Sequence, residues 1–223
     1  DFRTGHLVDL EGLRQVIGDR LLIVDAIQGF GVVDAPYELA DVVVAGGQKW
    51  VRAGWGTGFL ALSDRALDHL TPVWSGFPAS EKAGMTLDEV LAPAQDARAY
   101  TVSNPDWIAM ARFSAALEEI ADVGVSEINA RIAERVSAII DVADEFALPV
   151  VSPRAENQRA GIVVVQPDAD QLTVLSAALH NHGVSVTIRE GAVRLSAHVS
   201  TDADTLTLLR SALLSFATAS AAR

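Results

Sequence analysis

Asp41-Val42-Val43-Val44-Ala45-Gly46-Gly47-Gln48-Lys49-Trp50 joins an apolar, β-branched run to two glycines and then to one of the two lysines in the 223-residue chain. The run reads as a strand, and its unbroken hydrophobicity predicts a parallel strand buried on both faces. In open α/β sheets the chemistry collects at the carboxyl ends of such strands. Lys49 is placed there, and burial behind the glycines would favour the uncharged amine that a nucleophile needs. A surface lysine closing a strand is the plainer alternative. Upstream, Leu21-Leu22-Ile23-Val24 is a second run of the same kind, ending in Asp25 and followed by Ala26-Ile27-Gln28-Gly29-Phe30-Gly31.

Around these strands the pattern predicts an α/β chain. A helix over 10–17 and a turn at Gly18-Asp19-Arg20 lead into the strand ending at Val24, and the next strand covers 42–45. A further strand is expected over 58–62, then a helix toward Leu70 capped by Ser63-Asp64. Prolines, glycines and polar residues leave 71–105 without a long element, and an irregular stretch of that length is usually functional. Asp106 is placed to cap a helix over 107–123, followed past Gly124 by another over 126–146. There Ile128, Ile132, Val136, Ile139 and Ile140 recur at three- and four-residue steps, the mark of one buried face. Beyond Pro149, strands over 161–165, 184–188 and 192–196 with helices over 169–181 and 202–218 describe a small α+β domain, whose Ala/Ser-rich tail from Ala217 should fray. The division expected is 1–112 and 113–223.

A hydrophobic content of 50% is ample for a core, while a net charge of −12 and no basic stripe argue against nucleic-acid or acidic-membrane partners. No run reaches the roughly 20 apolar residues that a bilayer span requires, and 1–6 lack secretory character, so a cytoplasmic protein is expected. The absence of cysteine removes disulfides, thiolate metal sites and any persulfide-forming nucleophile from the chain. His180-Asn181-His182 lacks a third ligand and reads as a solvated helix end, so no metal is expected.

A strand delivering an aspartate beside a strand delivering a lysine is what pyridoxal phosphate asks of a protein: an anion for its ring nitrogen and an amine for its aldehyde. Together with Gly54-Trp55-Gly56-Thr57-Gly58-Phe59-Leu60 and Val193-Arg194-Leu195-Ser196-Ala197-His198, in this order and spacing, these stretches resemble the class V aminotransferase-like enzymes of the fold-type I pyridoxal phosphate superfamily. The resemblance covers almost the whole chain. It implies part of a large, mostly parallel-sheet domain followed by the small C-terminal α+β domain, and it implies a homodimer. It also implies that the chain corresponds to the C-terminal portion of such an enzyme and needs a preceding segment for the cofactor's phosphate loop and ring-stacking residue.

The resemblance assigns roles by position. Lys49 would form the Schiff base and Asp25 would face the pyridine nitrogen; a capping aspartate is the alternative for the latter. Gln28 would hydrogen-bond the cofactor's phenolic oxygen or simply satisfy backbone groups. Gln48 stands where many relatives have histidine, and Gly46 where a phosphate-binding serine is frequent, so Gln48 would take over donation to the phosphate. Ser103 matches the threonine that reaches the phosphate of the neighbouring subunit's cofactor. Arg194 would grip the substrate carboxylate through its paired donors, with a structural salt bridge as the alternative, and His198 would line the same site or pack.

In cysteine desulfurases a catalytic cysteine lies on a loop before that arginine, whereas 186–193 here are short and cysteine-free. The reading is therefore an aminotransferase-like enzyme acting on an amino acid or amine. A C–S lyase, an epimerase or a cofactor-free structural homologue are the alternatives.

Overall fold

The computed structural model describes residues 1–82 and 88–221 and forms two compact units, Asp9–Gly31 with Ala35–Asp122, and Asp1–Val8 with Val32–Asp34 and Val123–Arg223.

In the first unit, α1 (Leu10–Ile17) starts at Asp9, whose carboxylate accepts the Gly12 N–H. The chain then enters β1 (Ile23–Asp25), which pairs parallel to β2 (Val42–Gly46) with Ile23 opposite Val42 and Asp25 opposite Val44. β3 (Gly58–Leu62) returns antiparallel to β2, giving the order β1-β2-β3. Ser63 caps α2 (Asp64–His69) by accepting the Ala66 N–H. Between α2 and α3 (Trp107–Val123), the described residues contain short 3-10 turns at Phe77–Ala79 and Ala97–Tyr100 and an isolated antiparallel bridge between Ser80 and Pro93. Asp106 opens α3 by accepting the N–H groups of Ile108 and Ala109.

Two aromatic-lined clusters form the core of this unit. Ala26, Val43 and Ala45 pack with Val24, Phe30 and Tyr37, while Val51, Ala53 and Phe113 pack with Leu117 and Ile120. Phe59 belongs to both, its ring 4.6 Å from Phe30. β2 is largely buried, as its sequence predicts, but β1 is not: Ile23 is 60% exposed and Asp25 is exposed. Parallel pairing covers one edge of β1 but supplies no second layer for its outer face.

The entrances of β1 and β2 are tied together by Asp41, which is 6% exposed. Its carboxylate accepts the Leu22 N–H at 2.7 Å and pairs with Arg14 at 2.7 Å and Arg65 at 3.2 Å. Burial works to raise the carboxyl pKa, but the Arg14 hydrogen bond, the Leu22 amide and the two guanidinium charges outweigh it and hold the group below its ordinary value.

In the second unit, β4 (Ile162–Val165), β5 (Thr187–Arg189) and β6 (Ala192–Ser196) form an antiparallel sheet of order β4-β6-β5. α4 (Val125–Glu145), α5 (Leu172–Asn181) and α6 (Ala203–Ala221) pack with it, α5 on α6 and α4 on both α6 and β4. Ile128, Ile132, Val136, Ile139 and Ile140 form the buried face of α4, as their periodicity predicts.

Three local expectations fail here. The strand expected from Val184 begins at Thr187, because Gly183 (φ 75°) ends α5 and the Val184 N–H bonds back to the Leu179 carbonyl, a helix-capping bond that takes it out of the ladder. α5 itself begins three residues later than expected, since a turn closed by Gln171 N–H on the Asp168 carbonyl precedes it. The tail does not fray at Ala217: α6 continues through Ala221, and Thr218 is tied to the Leu214 carbonyl.

Candidate functional site

The parallel register of β1 and β2 delivers their carboxyl ends side by side, and those ends open on a shallow basin of about 530 Å³. Asp25 and Ile27 line it from the first strand's exit, Gly46 and Gln48 from the second, and Trp55 with Thr57 from the loop that follows. The Asp25 carboxylate accepts the Ile27 N–H at 3.0 Å, which fixes one of its oxygens to the turn and anchors the side chain at the strand end.

The loop after β2 is built around Gly47. Its N–H donates to the Thr57 carbonyl at 3.1 Å and its carbonyl accepts the Ala53 N–H at 2.8 Å, so residues 47–57 close on themselves. A Cβ at Gly47 would overlap the Thr57 hydroxyl oxygen and approach the Phe113 ring to 2.9 Å, which leaves glycine as the residue that fits. Arg52 (φ 57°) turns the chain between Lys49 and this closure, and its N–H bonds the Lys49 carbonyl. Lys49 therefore stands on a defined turn next to Gln48. It is exposed, contrary to the expectation of burial: the glycines bring backbone close to Thr57 and Phe113 and leave the lysine on the outer side of the turn.

Gln28 is half-buried on the turn following Asp25, outside the lining of the basin. Ser103 lies on an exposed bend before α3 and does not line the basin either. What the sequence reading missed is Trp55. Gly54 (φ 87°) and Gly56 (φ 79°) carry the backbone through conformations that favour glycine, and the indole between them is 82% exposed at the basin rim. Its signal in the sequence is the Gly54-Trp55-Gly56-Thr57-Gly58 spacing, which sets the indole between two glycines.

In the second unit Arg194 lies in the middle of β6, opposite Thr187 on β5 and Val164 on β4, and donates to the Thr187 hydroxyl at 3.2 Å. Its Nε is buried without a hydrogen-bond partner. It lines a pocket of about 290 Å³ with Arg3, Arg189, Gln166 and others. His198 does not line that pocket; its N–H bonds the Thr201 hydroxyl and its ring Nδ1 lies 3.3 Å from the Ser200 hydroxyl, both in the turn before α6. Among the described residues no group of three or more His, Asp or Glu is arranged to hold a metal, and no helix is long and apolar enough to cross a membrane.

The family model described as aminotransferase class-V matches residues 3–219. A kynureninase of Deinococcus radiodurans is 26% identical over 182 residues, 77% of this chain and 44% of that protein. An apo cysteine desulfurase from Thermococcus onnurineus superposes with a TM-score of 0.84 at 20% identity, covering 96% of this chain and 57% of that one. A cystine C–S lyase in complex with its reaction product, cysteine persulfide, gives 0.83 at 18% identity, covering 97% and 58%. An alanine–glyoxylate aminotransferase from Nostoc gives 0.74 at 18% identity, covering 97% and 59%. The chain thus spans less than two thirds of the length of each of these proteins.

Proposed function

The chain belongs to the class-V aminotransferase family and has the fold-type I architecture of its pyridoxal phosphate enzymes, and from this premise we propose that it forms the lysine-bearing part of such an enzyme. The substrate class is an amino acid or amine, and the reaction is aminotransferase-like. The observation that carries the proposal is the pairing of β1 with β2, which sets Asp25 and the Gly46–Gln48 stretch at the exits of adjacent strands, with Asp25, Gly46 and Gln48 lining one basin and Lys49 following Gln48 just outside its lining.

The residues present fit pyridoxal phosphate. A carboxylate, an amide and a close-packed glycine turn converge on the basin, whose size accommodates a pyridine ring, and a lysine follows the amide directly. Lys49 and Asp25 would hold the cofactor, with Gln48 as a further polar partner from the basin lining; Gln28 and Ser103 lie outside that lining, and Ser103 would act on the cofactor of a neighbouring subunit in a homodimer. When bound, the cofactor supplies an electrophilic aldehyde and an electron sink for the substrate Cα. Lys49 would contribute its amine as the nucleophile for the cofactor's aldehyde and as the base that moves the Cα proton. With one carboxylate oxygen engaged by the Ile27 N–H, Asp25 would have its second oxygen available to favour the protonated ring nitrogen. Arg194, with a buried and unpartnered Nε, anchors the substrate carboxylate, with His198 nearby in sequence as a secondary group.

The β5–β6 connection supports an aminotransferase-like reaction over desulfuration. Arg189 pairs with Ala192, so the connection is the tight turn Glu190-Gly191, with positive φ at both residues and no loop to carry a thiol.

Borohydride reduction of the full-length protein with pyridoxal phosphate, followed by peptide mapping, tests the proposal. The label is expected on the peptide carrying Lys49 and is expected to vanish in Lys49→Ala. A label on Lys82, the other lysine of the chain, would overturn the assignment.

A further inference from the structure

The pocket that contains Arg194 holds more positive charge than one carboxylate requires. Its ten lining residues include Arg3, Arg189 and Arg194 against a single carboxylate, Glu190, in a chain whose net charge is −12. This concentration follows from register. Arg194 is opposite Thr187, and Ala192 is opposite Arg189, so Thr187, Arg189, Ala192 and Arg194 share one face of the β5–β6 pair. Val164, opposite Arg194 on β4, extends that face and lines the same pocket. Arg189 and Arg194 are diagonal neighbours, with side chains that leave the sheet about 7 Å apart.

The third arginine comes from the start of the chain. Gly5 (φ 72°) lies so close to the Ile162 carbonyl that a Cβ there would overlap it, and Leu7 N–H bonds the Gln158 carbonyl. These contacts lay residues 2–3 beside the sheet. The Phe2 ring then has the Arg3 guanidinium 5.6 Å and the Arg189 guanidinium 5.3 Å from its centroid, which brings the two cations to one aromatic ring. Among the described residues the ion pairs of the unit engage Arg131, Arg135, Arg154, Arg159 and Arg210, and neither Arg3 nor Arg189 takes part in one.

We propose that this pocket binds two anionic groups of one small molecule, the α-carboxylate at Arg194 and a second carboxylate at Arg189 and Arg3, so that the substrate is an α-amino acid with an acidic side chain. The inference rests on the reading of Arg194 as the carboxylate anchor and adds the second subsite to it. A pocket of about 290 Å³ is at the small end of metabolite sites and matches a molecule of that size. Arg189 and Arg3 are exposed, so their pull is screened by salt, whereas the buried Nε of Arg194 is screened less.

The test uses calorimetric titration of the full-length, cofactor-loaded protein with glutarate and valerate, which share a five-carbon chain and differ by one carboxylate. At low ionic strength glutarate is expected to bind about tenfold tighter, as one added charge-assisted contact at a partly solvated site allows. Arg189→Ala should bring glutarate to within about twofold of valerate and leave valerate unchanged, while Arg189→Lys should keep much of the preference because the charge remains. Equal affinities in the unsubstituted protein, or an Arg189→Ala loss shared by both ligands, would overturn the proposal. Arg194→Lys separates it from the reading beneath it: weaker binding of both ligands supports the anchor, whereas unchanged binding of both removes the anchor and leaves the Arg189-dependent preference to be judged on its own.

Discussion

Replacing Asp41 by alanine should loosen the two strands that carry Asp25 and Lys49 at the end opposite to the chemistry. The substitution removes a buried carboxylate that accepts one backbone N–H and pairs with two guanidinium groups. Breaking a buried charge pair from one side costs about 3–5 kcal/mol. Arg14 keeps bonds to the Leu39 and Arg20 carbonyls, and Arg65 is more than a third exposed, so neither cation is stranded and the cost belongs near the lower end, about 3 kcal/mol. For a domain of this size that corresponds to a fall in Tm of roughly 6–12 °C. Arg65→Met, which removes only the exposed partner, should cost no more than about 1 kcal/mol.

The effect has a signed pH dependence. Because the folded-state pKa of Asp41 is depressed, its stabilisation is complete above the unfolded carboxylate value, about 3.9, and is lost as pH falls through the folded value. The gap between the unsubstituted protein and Asp41→Ala should therefore be constant near neutrality and narrow below about pH 4. Thermal melts by circular dichroism across this range provide the measurement. A deficit for Asp41→Ala no larger than that for Arg65→Met, or a gap that widens in acid, would refute the reasoning.

Two further outcomes follow from the basin. Asp25→Asn should slow Cα-proton exchange of a bound amino acid at least tenfold while shifting Tm little, because the side chain is exposed and makes a single local bond; unchanged exchange by NMR would return Asp25 to a capping role. Gly47→Ala should cost about 1–3 kcal/mol, since its methyl would collide with the Thr57 hydroxyl and the Phe113 ring, and denaturant melts showing no loss would mean that the turn relaxes freely.

Much of this was legible in the chain. β2 and the face of α4 declare themselves through runs and periodicity, and the caps Asp9, Ser63 and Asp106 mark helix starts, because these signals are local. Asp25 and Lys49 could be paired because strand ends collect chemistry in a parallel arrangement. The exposure of Lys49 was not legible, since it depends on which side of the turn packs against Phe113, more than 60 positions away. Nor was the arginine pocket: Arg189 and Arg194 share a face only through the register set by the Glu190-Gly191 turn, and Arg3 joins them through the close approach of Gly5 to Ile162.

Trp55, Trp74 and Trp107 are 82%, 77% and 75% exposed, and the chain has one further tryptophan, Trp50. Indoles in water emit toward the red, so the intrinsic fluorescence of this chain is dominated by side chains that solvent reaches. A ligand settling in the basin quenches or blue-shifts Trp55 first, whereas a protein surface closing over Trp74 and Trp107 shifts those instead. Single Trp→Phe replacements would sort the two signals, giving an unlabelled optical reading of which surface is being covered.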